Sequence, residues 1–216
     1  MKFCIIGNGL SSLILAKNLA DKKIYIDLFF TPNKTNKPSS RTIGITENNL
    51  KILEDWFPRI SKKGFKINKI NIFTERNLKN EILSFKSDKY YQFSVFEYSK
   101  LYKFLLSEVL KNSFIKKVSL DRKIKIYSEK FIKKYDIIVD TEIKNKFIKH
   151  KFSKKIYKDY DSKAFVTIFS HQRINNNVAD QIFTNIGPLA FLPISDTKTS
   201  VVFSIYNKAE IDKNKF

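Results

Sequence analysis

The stretch 1-MKFCIIGNGLSSLILAKNLA-20 sets one apolar run directly before Gly7, Asn8 and Gly9 and a second directly after them. Residues 2–6 read as a buried strand. From Leu10 the apolar positions Leu10, Leu13, Ile14, Ala16 and Leu19 switch to helical spacing, so the glycines occupy a tight strand-to-helix turn. The next apolar segment, 22-KKIYIDLFF-30, reads as a second strand. Together these pieces form a β-α-β unit of about 30 residues, the connection that parallel strands need. The chain therefore begins as an α/β fold.

A turn of this kind has a specific chemical use. A pyrophosphate can rest on a helix N-terminus only if the backbone comes close enough to present its free N–H groups, and side chains in the turn would block that approach. Gly7 and Gly9 meet this need. In the pattern G-x-G-x-x-G the third glycine lets the helix pack tightly on the strand, and here Ser12 stands in its place. That exchange costs packing more than phosphate contact. The pattern also expects an acidic residue at the end of the second strand to hold the ribose hydroxyls. That position falls on Phe29 or Phe30, and Asp27, a weaker candidate, lies nearby with its side chain placed differently by strand alternation from that of the strand's last residue.

Composition narrows the alternatives. The 216 residues are 43% hydrophobic, enough for a sizeable core, and no run approaches the roughly 18 to 20 apolar residues of a membrane-spanning helix. The lone cysteine, Cys4, sits in the first strand and reads as a buried thiol in a reducing cytoplasm. The net charge of +20 is carried mainly by lysines scattered from Lys2 to Lys215, with only five arginines. They are neither clustered nor part of a nucleic-acid reading module, and the accompanying excess of Ile, Asn and Phe shares A/T-rich codons with lysine. The expectation is therefore no nucleic-acid partner. Weak attraction to an anionic bilayer stays open, giving a cytoplasmic protein that is peripheral at most.

Further along, 31-TPNKTNKPSS-40 reads as a surface loop. In 41-RTIGITENNLKILEDWF-57, Thr46 is placed to cap a helix with Leu50, Leu53, Trp56 and Phe57 on its apolar face, and Pro58 stops it. Strands are expected at 70–73, 82–85 and 92–96, then a helix over about 99–110 with Leu101, Phe104, Leu105 and Leu110 inward. Residues 123–140 read as a short hairpin ending in a buried strand at 137–139. The last part is β-rich, with a strand in 164-AFVTIFSH-171 and two apolar strands around the turn Asp196-Thr197-Lys198-Thr199. The expected organisation is a nucleotide-binding core over 1–155, with inserted strands at about 65–97, and a β-rich portion over 156–216 built onto it.

Two segments carry a family resemblance: 42-TIGIT-46 with Arg41 before it, and 179-ADQIFTNIGPLAFLPISDTKTSVVFSIYN-207. Ala179, Phe183, Gly187, Pro188, Leu189, Ala190, Leu192 and Pro193 match in register the stretch A-x-x-x-F-x-x-x-G-P-L-A-x-L-P of the flavin-dependent hydroxylases of ubiquinone biosynthesis, the UbiH and UbiF type. Tyr160, Ala164 and His171 fall in the same order as in that family. The resemblance implies a Rossmann-like FAD-binding β-α-β core with an added mixed β-sheet substrate layer of the aromatic hydroxylase type. It also implies an FAD-dependent monooxygenase whose flavin C4a-hydroperoxide hydroxylates the aromatic ring of a polyprenylated ubiquinone precursor. In such enzymes the cofactor carries the hard chemistry, so no acid–base triad or metal site is required. By resemblance, Gly7, Gly9, Leu10, Ser11 and Ser12 line the FAD pyrophosphate, and Arg41 lies along the cofactor as a cation near its phosphates. NAD(P)H is the implied external reductant and a lipophilic aromatic compound the implied substrate, with association to the membrane or to a ubiquinone-biosynthesis complex.

Phe191, Leu192, Val202 and Phe203 read either as a wall between flavin and substrate or as a two-sided core, and His171 as a satisfied polar residue at a strand end. Two departures from the family pattern follow. Its Asp-Gly pair after the strand near residue 139 is replaced by Asp140-Thr141 or Glu142-Ile143. Its second fingerprint, of the G-D-A-x-H type, has no counterpart before Phe216, which implies a C-terminally truncated chain. The other function class that remains open is a non-catalytic remnant or nucleotide-binding module of the same fold.

Overall fold

The computed structural model describes residues 1–30, 40–87, 91–120, 128–142, 156, 158 and 160–206. The loop expected at 31–40 therefore falls almost wholly outside the described residues, as do His150 and Ile143.

By its contacts the chain divides into two units, residues 1–38 with 101–157 and residues 39–100 with 158–216. In the first unit, β1 (Lys2–Ile6), β2 (Tyr25–Phe30), β8 (Ile115–Ser119) and β9 (Ile137–Asp140) form a parallel sheet in the order β8-β2-β1-β9. Helix α1 (Leu10–Asp21) connects β1 to β2 and buries Ser12, Leu13, Ala16 and Ala20, the stripe that its 3.6-residue period allows. The second strand starts at Tyr25 rather than at residue 22. The Lys22 and Lys23 N–H groups instead donate to Leu19 and Ala20 carbonyls and close the helix, with Lys23 at φ 62°.

Two further expectations for this unit are corrected. Residues 123–127 of the expected hairpin lie outside the described residues. Residues 129–132 form the short helix α4, with the Ser128 hydroxyl accepting from Phe131 N–H, and the strand after it pairs in parallel with β1. As an edge strand it leaves Ile137 exposed rather than buried. In α3 (Tyr98–Leu110), Leu101, Leu105 and Val109 are buried. Leu110 is 40% exposed, because the i, i+4, i+8 stripe set by Leu101 ends on Val109.

The second unit holds two sheets. The antiparallel trio β3-β7-β4 comprises β3 (Thr42–Thr46), β7 (Phe93–Glu97) and β4 (Phe65–Ile67). A six-stranded mixed sheet runs β10-β13-β12-β11-β5-β6. Its strands are β5 (Lys69–Thr74), β6 (Leu83–Lys86), β10 (Ser162–Ser170), β11 (Val178–Thr184), β12 (Gly187–Ser195) and β13 (Lys198–Tyr206). This arrangement moves the inserted strands out of the expected 1–155 core. The reason is β5, which pairs in parallel with β11 and brings β6 with it into the C-terminal sheet, so that residues 39–100 group with residues 158–216.

Helix α2 (Glu47–Trp56) begins after Thr46 and buries Leu50, with Phe57 buried just beyond its end. Thr46 is extended at the N-cap, but its hydroxyl makes no capping bond. The β12–β13 turn is tighter than expected: Ser195 pairs with Lys198, so only Asp196 and Thr197 form the loop. Within the motif matched in the sequence, Gly187 has φ 142° and a side chain there would run into the Ser204 backbone, so its role is structural. No helix among the described residues is long and apolar enough to cross a membrane.

Candidate cofactor turn

In the first unit the chain runs from β1 out to β2 and β8 on one side, then returns to β9 on the other side of β1. The order therefore reverses between β1 and β9. In open parallel sheets ligands bind beyond the carboxyl ends of the strands at such a switch point. Gly7, Asn8 and Gly9 leave β1 there, and Thr141 leaves β9.

The two glycines serve different ends. Gly7 is buried at φ 115°, its N–H donates to Phe29 C=O at 2.9 Å, and a side chain on it would run into Thr141 Oγ1 and lie 3.1 Å from Glu142 Oε1. The chain itself demands glycine at this position. Gly9 is exposed, its backbone is extended (φ −73°, ψ 175°), and a Cβ built on it meets nothing within 4 Å. Nothing in the chain requires glycine there, yet the missing side chain leaves open space at the head of α1.

Gly9 is also the N-cap, and α1 has no side-chain cap and no acidic residue in its first turn. The first intrahelical bond is Leu13 N–H to Gly9 C=O at 3.1 Å. The backbone N–H groups of Leu10, Ser11 and Ser12 precede it and carry the positive end of the helix dipole. Such a turn can hold a phosphate by backbone alone, so its residues fit the pyrophosphate of a dinucleotide. Asn8, nearly buried, reaches Tyr102 Oη at 3.3 Å and braces the turn from α3.

The structure resolves the alternatives left at the end of β2. Phe29 is 3% exposed and packs edge-on against Phe131 and Tyr135, so the strand-end position open to a ligand is Phe30, with Lys117 Nζ 4.8 Å from its ring centre. No carboxylate stands there. Asp27 points into the core, where it accepts from the Tyr135 hydroxyl at 2.7 Å and lies 3.2 Å from Lys2 Nζ and 3.9 Å from Lys134 Nζ. Burial first, and then the hydrogen bond to Asp27, raise the Tyr135 phenol above its ordinary range. Burial, with Asp27 and Asp140 adding to it, pushes the neighbouring Cys4 thiol up to about 12. Tyr135→Phe leaves the buried Asp27 one donor short and is expected to cost about 2 kcal/mol in urea unfolding, without affecting the turn.

Arg41 belongs to the second unit, where its guanidinium lies 5.1 Å from the Tyr98 ring centre and its carbonyl accepts from Tyr98 N–H at 2.9 Å. In the same unit, strand register divides the aromatic positions singled out above. Leu192 faces the small sheet and packs with the core of Ile67, Val95 and Ala179, and Val202, paired with Ala190, shares that side. Phe203, in line with Phe165 and Leu189, lies on the opposite face, which Phe191 shares by alternation. The core reading holds for the Leu192 face, and Phe191 and Phe203 lie on the other face of the sheet. His171 is held at the end of β10, with Nδ1 2.7 Å from Gln172 C=O and Nε2 3.0 Å from Thr199 Oγ1.

No protein-family model matches the sequence, and no curated protein aligns with it significantly. Solved structures do match. PqsL of Pseudomonas aeruginosa, described as a probable FAD-dependent monooxygenase, superposes with a TM-score of 0.71 at 11% identity, over 96% of this chain and 61% of its own. CtdE in complex with FAD gives 0.68 at 11% identity, over 99% and 61%. The p-nitrophenol 4-monooxygenase PnpA of Pseudomonas putida gives 0.71 at 9% identity, over 98% and 59%. This chain thus spans about three-fifths of the length of the structures it matches, and at these identities the likeness is one of fold. The parallel sheet with its glycine turn and the mixed sheet that follows in sequence thus share the fold of these solved structures over the part of their length that the chain covers.

Proposed function

We propose that the chain is the cofactor-binding part of an FAD-dependent monooxygenase that hydroxylates the aromatic ring of a polyprenylated ubiquinone precursor. The observation that carries the cofactor reading is the open space before Gly9 at an uncapped helix start. The N–H groups of Leu10, Ser11 and Ser12 would hold a pyrophosphate, with Gly9 permitting its approach. The family resemblance gives Arg41, in the second unit, the role of a cation for the cofactor's phosphates. Bound FAD, reduced by NAD(P)H, supplies the oxygen chemistry. The sheet face bearing Phe191 and Phe203 contributes an apolar wall suited to a lipophilic ring. The finer substrate assignment is supported by the match of Ala179, Phe183 and the stretch 187–193 to the ubiquinone hydroxylases. The +20 charge favours an anionic membrane surface, where such substrates reside.

The test is to supply FAD, NADPH, O₂ and a polyprenylated phenol to the 216-residue chain and to follow NADPH loss and product mass. A gain of one oxygen on the ring, dependent on FAD, is the expected result. A chain that binds FAD but never consumes NADPH would support the second reading, a nucleotide-binding module without turnover. One feature favours that reading: Phe30 stands where the ribose expects a carboxylate.

A further inference from the structure

The two positions where the cofactor turn departs from the small-residue pattern touch each other across 129 residues of sequence: Ser12 Oγ lies 2.7 Å from Thr141 Oγ1. Ser12 replaces the third glycine of the turn, and Thr141 stands at one of the two places, with Ile143, where the glycine of the Asp-Gly pair would fall. We propose that these hydroxyls form a single positioning couple that holds the start of α1 in register with the ends of β1 and β9, taking over the role of close glycine packing. The inference rests on the cofactor reading above.

The proton inventory fixes the direction of the chain of bonds. The Thr141 hydroxyl donates to Ile6 C=O at 2.9 Å, and the Thr141 backbone N–H donates to the same carbonyl at 2.9 Å. A threonine hydroxyl has one hydrogen, so the Ser12 hydroxyl is the donor in the bond between them. Ser12 is fully buried and its hydroxyl is engaged with Thr141, so its side chain is not open to a ligand. Gly7 completes the arrangement, since any side chain there would occupy the space of Thr141 Oγ1. Ser12 and Thr141 are accordingly positioning residues: their side chains aim the N–H groups at the head of α1 and touch no part of the ligand.

The test is a double-mutant cycle in the full chain with Ser12→Ala and Thr141→Val, joined by the conservative Thr141→Ser. Two ligands are titrated at a temperature where every variant is folded: FAD, and ADP, which carries the pyrophosphate without the flavin. Unfolding of the ligand-free variants in urea is measured alongside. Each single variant is expected to weaken FAD and ADP alike by about fivefold, the double variant to be no worse than either single, and Thr141→Ser to stay within about twofold of the parent. A merely structural loss would move the urea midpoints and leave the affinity of the folded fraction unchanged, and that result overturns the positioning role. Additive losses, or Thr141→Ser as damaging as Thr141→Val, defeat the couple while FAD binding stands. A parent chain that binds neither ligand, with coupling still visible in urea, defeats the cofactor reading and with it the positioning role.

Discussion

Gly9→Asp is expected to abolish FAD binding while leaving the ligand-free fold as stable as before, or slightly more so. The two effects have one cause. Gly9 is an N-cap with extended backbone, the conformation that a capping aspartate adopts, and the space before it is open. The new carboxylate would accept from the unpartnered N–H groups of the first helical turn and lie at the positive end of the dipole, a gain of about 0.5 kcal/mol. It would occupy, with the same sign of charge, the place a pyrophosphate takes. The loss of FAD affinity is expected to be roughly 100-fold or more. Fluorescence titration with FAD and urea unfolding of the ligand-free chain check the two halves separately. A fall in both would mean that Gly9 is structural.

Gly7→Ala should behave in the opposite way and damage the fold itself. At φ 115° a side chain is strained by roughly 1–3 kcal/mol wherever it points, and here it also displaces the Thr141 hydroxyl from Ile6 and Ser12. Together these effects are expected to cost about 3–5 kcal/mol, a large share of the stability of an ordinary domain. In a Thr141→Gly background the same change should cost less, since the clash with the hydroxyl is gone and only the backbone strain and the tight contact with the Glu142 side chain remain. Equal costs in the two backgrounds would show that Thr141 is not what Gly7 accommodates. Urea unfolding of the four proteins supplies the comparison.

The sequence made this turn visible because its signals are local. A buried run, two glycines and a change of period from strand to helix lie within twenty residues, and β1, α1 and the body of β2 follow from them. The β12–β13 hairpin was legible for the same reason, two apolar runs around a short polar turn. What could not be read depends on partners distant in the chain. The segment 115-IKKVS-119 carries two lysines in five residues and does not resemble a core strand, yet as the outer strand of the parallel sheet it needs only Ile115 and Val118 inward. The pairing of β9 with β1 and of β5 with β11 leaves no local mark, which is why a hairpin was expected at 123–140 and a single core over 1–155.

The site shows the same division. Gly7 and Gly9 are identical letters, and only the position of Thr141 reveals that one is required by the chain and the other leaves room. Ser12 and Thr141 each looked like an isolated departure, and their contact is a property of the fold alone. Asp27, by contrast, could be set aside from strand alternation, and its engagement with Tyr135 and Lys2 accounts for its burial.

The central claim is that the β1–α1 turn grips the pyrophosphate of FAD with backbone N–H groups. It is tested most directly by amide NMR of the ¹⁵N-labelled chain titrated with FAD. The account predicts saturable downfield shifts of the Leu10, Ser11 and Ser12 amides, reproduced by ADP and absent in Gly9→Asp. Saturable FAD binding that leaves those three amides unmoved would contradict it.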